Sequence, residues 1–149
     1  MIARSMIGVV NVSFIKPMES LPVKKLPKGA NWTYEIKLDG FRAEAVRREG
    51  QVALYSRQGK LLTSQFTQVA KELEKIMLTG TVLDGELVAL DEDGRPRFNL
   101  LQNYRSGSAP LMYFVFDILI HKGTGVMKLP LAERRSLFPS TLGERSANS

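Results

Sequence analysis

Lys37 stands in a stretch whose residue types and spacing could do chemistry: Glu35-x-Lys37-x-Asp39-Gly40-x-Arg42. Tyr34, Ile36 and Leu38 alternate with Glu35, Lys37 and Asp39, the pattern of a half-buried strand. After Gly40 the apolar positions fall at Phe41, Ala43 and Ala45, so the chain is expected to turn or bulge at Asp39-Gly40. Lys37 would then end a strand just before a kink. An ammonium partly buried there loses solvation and gains a reactive lone pair, and Gly40 lets the backbone turn and a ligand approach closely. The plain alternative is a solvated lysine before an ordinary turn.

Composition narrows the chemistry further. The 149 residues include no cysteine, which excludes disulfides and thiolate metal sites, and a single histidine, His121, which argues against a His-based triad or a zinc site. Reaction chemistry must rest on Lys, Arg, Asp and Glu, together with any bound metal. The net charge of +6 suits a polyanionic partner such as nucleic acid or a nucleotide. Hydrophobic residues at 44% and charged residues at 24% fit one soluble globular core. No run approaches the ~18 apolar residues of a membrane span, and Met1 to Val12 lacks the marks of a secretory signal, so a cytoplasmic location and no membrane partner are expected.

The elements that must position Lys37 follow from periodicity. Lys16 to Trp32, with Pro17, Pro22 and Pro27, reads as an irregular lead-in anchored by Trp32. Strands are expected at about Thr33–Leu38, Arg42–Arg47 and Val52–Ser56, joined by turns at Asp39-Gly40 and Glu49-Gly50, with another turn at Gln58-Gly59. Gln65–Leu78 has helical spacing, with Thr63 or Ser64 as cap and Gly80 as stop. Thr81–Leu90 and Leu111–Ile120 are further strands, the second apolar on both faces except at Asp117 and so expected at the centre of the sheet. A helical turn is expected within Phe98–Tyr104. These elements give an α+β fold of antiparallel β-sheets with flanking helices.

Four segments in order resemble the motifs of the covalent nucleotidyltransferases, and most closely the adenylation domain of ATP-dependent DNA ligases of the bacterial end-joining type. They are the Lys37 stretch; Tyr55-Ser56-Arg57-x-Gly59; Leu83-Asp84-Gly85-Glu86-Leu87; and Tyr113-Phe114-Val115-Phe116-Asp117. The lead-in from Lys16 to Trp32 is similar too, and the likeness runs from roughly Phe14 to Arg135. It implies an ATP-grasp-like nucleotidyltransferase domain, in part, in which Lys37 attacks ATP and carries AMP, with Mg2+ as cofactor and nicked or broken double-stranded DNA as substrate. Arg42 and Arg57 would contact sugar and phosphates. Glu86 would contact the ribose or a metal-bound water, and Phe116 would stack on adenine. Glu35 would lie beside the adenine, with Asp39 and Gly40 completing the nucleotide site. Without the resemblance, Arg42 and Arg57 read equally as strand-face charges, Glu86 as a turn acid and Phe116 as core.

The sequence departs from the family pattern after Leu119, where no Glu-Gly or Lys-x-Lys motif follows. The expected organisation is a leader over 1–13, a partial adenylation domain over 14–135, and a polar, disordered tail over 136–149. Such a chain is expected to be weak or inactive alone and to expose unpaired strand edges, unless another chain supplies the missing motifs. The competing reading is a non-catalytic module that binds nucleic acid or a partner.

Overall fold

A computed structural model describes residues 9–105 and 107–142. Antiparallel pairing of Phe41–Arg48 (β1), Gln51–Ser56 (β2), Thr81–Ala89 (β3), Leu111–His121 (β4) and Thr124–Gly125 (β5) builds one sheet in the order β2-β1-β3-β4-β5. The helices are Thr67–Ile76 (α1), Phe98–Gln102 (α2), Leu131–Arg135 (α3) and Phe138–Thr141 (α4). The α+β, antiparallel expectation holds, gathered among the described residues into a single sheet.

Strand alternation divides β1 between two cores. Phe41, Ala43 and Ala45 face α1, where Val69, Ala70 and Leu73 close over Leu54, Leu83 and Ile118. Arg42, Glu44 and Val46 face the other way, and there Val46, Val82, Leu119 and Ile120 form a smaller cluster against Val12 and Ile15. Full burial of side chains such as Phe66 and Met77 at the ends of α1 contributes about 1.5–3 kcal/mol each.

The central strand is β3, not the Leu111–Ile120 segment. Eight of its nine residues are buried, whereas Met112 and Phe114 of β4 are exposed. Gly85 explains how β3 and β4 approach so closely: a Cβ there would stand 2.7 Å from the Tyr113 ring, which crosses it so that the hydroxyl donates to Ala43 O at 2.8 Å. The register slips beside this crossing, between Asp84 and Gly85.

Several local expectations are corrected. Thr33–Leu38 forms no strand and lies on the surface, so Trp32, 55% exposed, has no first strand to anchor on. Thr63 does not cap α1. Its Oγ1 instead accepts Leu54 N–H at 2.9 Å, while Glu74 accepts Val52 N–H at 3.1 Å and Leu62 N–H binds Leu54 O at 2.8 Å. The free edge of β2 is thereby covered rather than left unpaired. At the other edge Val9 bridges Thr124.

The tail expected over 136–149 is folded as far as Leu142. Leu137, Phe138 and Leu142 pack on the main core, Thr141 is fully buried, and its Oγ1 meets His121 Nδ1 at 2.9 Å. A polar average over the segment hid three apolar residues at helical spacing. Residues 143–149, and residues 1–8 of the expected leader, lie outside the described residues.

Candidate nucleotide site

The segment before β1 carries Lys37 over a cavity of about 650 Å³ whose walls include Lys37, Asp39, Gly40, Arg42, Arg57 and Glu86. Three of the four motifs thus converge on one concave surface. Lys60 and Phe98, which sequence reasoning missed, also line it. Phe98 reaches it from α2 by an edge-to-face contact with Phe41, centroids 5.4 Å apart.

Lys37 is exposed, which corrects the expectation that partial burial would strip its solvation. That expectation assumed a Thr33–Leu38 strand to hold the ammonium against the sheet, and no such strand forms. The stretch is fixed at its two ends instead. Arg135 on α3 pairs with Glu35, and Glu86 Oε1 accepts Gly40 N–H at 3.1 Å. Glu35 is therefore engaged through its carboxylate with a residue that carried no expected role.

Gly40 is required for a reason other than turning. A Cβ at this position would stand 2.2 Å from Leu87 O and 2.8 Å from Val88 Cγ1. Only a residue without a side chain lets the Lys37 segment cross β3 at that distance.

Arg42 sits at the cavity wall with its guanidinium already engaged. Its Nε donates to Asp84 Oδ1 at 2.9 Å and a terminal nitrogen donates to Asp84 Oδ2 at 2.6 Å. The hydrogen bonds to Asp84 hold the guanidinium pKa up, against the opposing effect of its own burial. Arg42 also lies over the Phe116 ring, 5.0 Å from its centroid. Phe116 is not in the wall of the cavity, so it joins the site through Arg42.

Asp117, the costly carboxylate of an otherwise apolar strand, accepts Arg134 Nε and a terminal Arg134 nitrogen at 2.7 Å each, along with its neighbour's Ile118 N–H. Arg135 Nε donates to Phe116 O at 2.9 Å. Consecutive arginines on α3 thus clamp the end of β4 that carries Phe116. The signal was present in Arg134-Arg135, but partner assignment needs the fold.

The cavity is positively biased. Among the described residues Lys37, Arg57 and Lys60 form no ion pair, so their charge faces the open space, opposed by Asp39 and Glu86. Burial raises the Glu86 pKa against the lowering effect of Gly40 N–H and Arg42. No cluster of three or more metal-ligating side chains occurs among the described residues. Two carboxylates with room for phosphate oxygens nevertheless suit Mg2+, which is commonly held by one or two carboxylates plus substrate phosphates.

A lysine, two arginines and a glutamate thus border one cavity beside an antiparallel sheet. The sequence profile of the ATP dependent DNA ligase domain matches residues 14–148, and the chain belongs to that family. It is 37% identical over 134 residues to the multifunctional non-homologous end joining protein LigD of Pseudomonas aeruginosa, covering 89% of this chain and 16% of that protein. A DNA ligase of Methanococcus aeolicus is 31% identical over 119 residues, 73% of this chain and 21% of its own length. The ligase domain of LigD from M. tuberculosis superposes with a TM-score of 0.59 at 32% identity, covering 71% of this chain and 35% of that one. A mycobacterial DNA ligase D complexed with ATP and MES gives a TM-score of 0.60 at 31% identity. The chain thus spans well under half the length of these relatives.

Proposed function

We propose that this chain forms a lysine–AMP adduct at Lys37, the first step in joining nicked or broken double-stranded DNA. The observation that supports it is that Lys37, Arg42, Arg57 and Glu86, drawn from three separate motifs, border one cavity in a member of the ligase domain family.

Lys37 Nζ attacks the α-phosphorus of ATP. An N–P bond forms, the bond to the bridging oxygen breaks, and pyrophosphate leaves with the electron pair. The amine proton passes to solvent, which the exposed side chain meets directly. Such a reaction depends chiefly on alignment and on neutralising phosphate charge, and Arg57 and Lys60 supply unpaired charge at the cavity. In this reading the adenine extends beyond the cavity wall to stack on Phe116, beside Arg42, and Glu86 holds the ribose or a metal-bound water. Glu35 lies beside the adenine through its backbone. Mg2+, held from Asp39 and Glu86 with the phosphates, would add further charge neutralisation.

The reading includes a cytoplasmic setting and a further polypeptide that covers the sheet where Phe114, the register partner of Glu86, is exposed. No helix among the described residues is long and apolar enough to cross a membrane. Because Lys37 is exposed and no strand holds it, adenylation by this chain alone should be slow. The test is incubation with Mg2+ and ATP labelled at the α-phosphate, followed by peptide mapping. Label on Lys37, lost in Lys37→Ala, is expected; no label after prolonged incubation at millimolar ATP would overturn the catalytic reading.

A further inference from the structure

Beyond the Lys37 cavity lies a second depression of about 390 Å³, lined by Phe14, Lys16, Glu19, Arg57 and Gln58. The Arg57-Gln58 turn belongs to both, so the two form a continuous surface with Arg57 on the shared wall.

The lead-in residues here are fixed, although most of the segment that follows is exposed. Ile15 N–H donates to the buried Glu44 Oε1 at 2.7 Å, and Pro17 is itself buried. The Phe14 ring lies 5.5 Å from that of Tyr55 and packs over Gly59, where an added Cβ would stand 3.1 Å from Phe14 Cε1. Lys16 is therefore held between anchored neighbours on both sides, with its own side chain exposed at the depression. Among the described residues neither Lys16 nor Arg57 forms an ion pair, and Glu19 is the one acidic residue on this wall.

We infer that Lys16 and Arg57 form a second phosphate subsite, separate from the position of the phosphate under attack by Lys37. Two cations without an ion-pair partner, one of them shared with the reactive cavity, favour a ligand that carries more than one phosphate along this surface. Lysine serves as a point charge and arginine as a directional donor for such a group. The nucleotide's triphosphate tail and the backbone of a DNA strand both present this chemistry. The inference rests on the ligase reading only for the identity of the phosphate that enters.

The test compares the full chain with Lys16→Gln and with Glu19→Gln, using Lys75→Gln on α1 as a control. Binding of ATP, AMP and a nicked duplex is measured across a salt series. For a strand phosphate, Lys16→Gln should reduce duplex affinity several-fold and flatten the slope of log affinity against log salt by about 0.9. For the triphosphate tail, ATP affinity should fall several-fold while AMP affinity is unchanged. Glu19→Gln should strengthen whichever ligand Lys16→Gln weakens. Wild-type affinities and slopes for all three ligands in Lys16→Gln, with an unaltered melting temperature, would overturn the subsite. Lys37 labelling is scored separately: label with no Lys16 effect removes the subsite and leaves the ligase reading intact, and a Lys16 effect without label does the reverse.

Discussion

Asp84 accepts both hydrogen bonds along one edge of the Arg42 guanidinium, and this pairing holds the arginine over the Phe116 ring. Asp84→Asn would leave the cation half-buried against a neutral amide. Removing one partner from a fully buried pair costs about 3–5 kcal/mol; the Arg42 side chain is 29% exposed, so solvent reduces this to about 2 kcal/mol. Urea unfolding at pH 7 checks it, and wild-type stability would contradict a structural role for the pair.

Gly40→Ala would place a methyl group 2.2 Å from Leu87 O, and backbone cannot rotate away as a side chain can. A loss of about 2–3 kcal/mol is expected. The Lys37 segment would have to lift from β3, so labelling of Lys37 should fall more than stability does, by at least about tenfold. Equal labelling per folded molecule would show that the crossing does not position the amine.

Glu44 should make stability depend on pH near neutrality. Burial raises its pKa to about 7, against the lowering effect of Ile15 N–H, and its Oε2 has no hydrogen-bond partner. The folded group therefore holds a proton that the unfolded chain gives up at lower pH, so its contribution is fully present below about pH 4.5 and is lost as pH rises through about 7. Glu44→Gln should flatten that decline and be more stable than wild type at pH 8 by roughly 1 kcal/mol or more. Parallel pH profiles for the two proteins would refute it.

Arg134 reaches Leu129 O at 2.6 Å as well as both oxygens of Asp117. Arg134→Ala should cost about 2–4 kcal/mol by orphaning a half-buried carboxylate. Hydrogen exchange should quicken first over residues 131–142, which depend on this clamp. Uniform exchange across the chain would argue against it.

Most elements were legible because each has a local cause. The α1 stripe from Phe66 to Met77, the alternation of β1 and β2, and the turns at Glu49-Gly50 and Gln58-Gly59 are written in neighbouring residues. What failed depends on distant ones. Tyr34, Ile36 and Leu38 alternate as a strand would, but no strand pairs with them. Phe114 reads as core by composition, yet it remains 37% exposed. The residues around the cavity were largely named from motifs, whereas the pairings of Arg42 with Asp84 and Arg135 with Glu35 arise only when the sheet brings chain-distant residues together.

The two fixtures flanking Lys37, at Glu35 and at Gly40, set how far its amine can travel. An extended chain spans at most about 3.3–3.6 Å per residue, so the few residues between the fixtures keep the amine at high local concentration over the cavity without aiming it. Direction must come from the incoming nucleotide. A phosphate analogue seated slightly askew should consequently be tolerated by Lys37, with discrimination exerted by whatever grips the nucleotide.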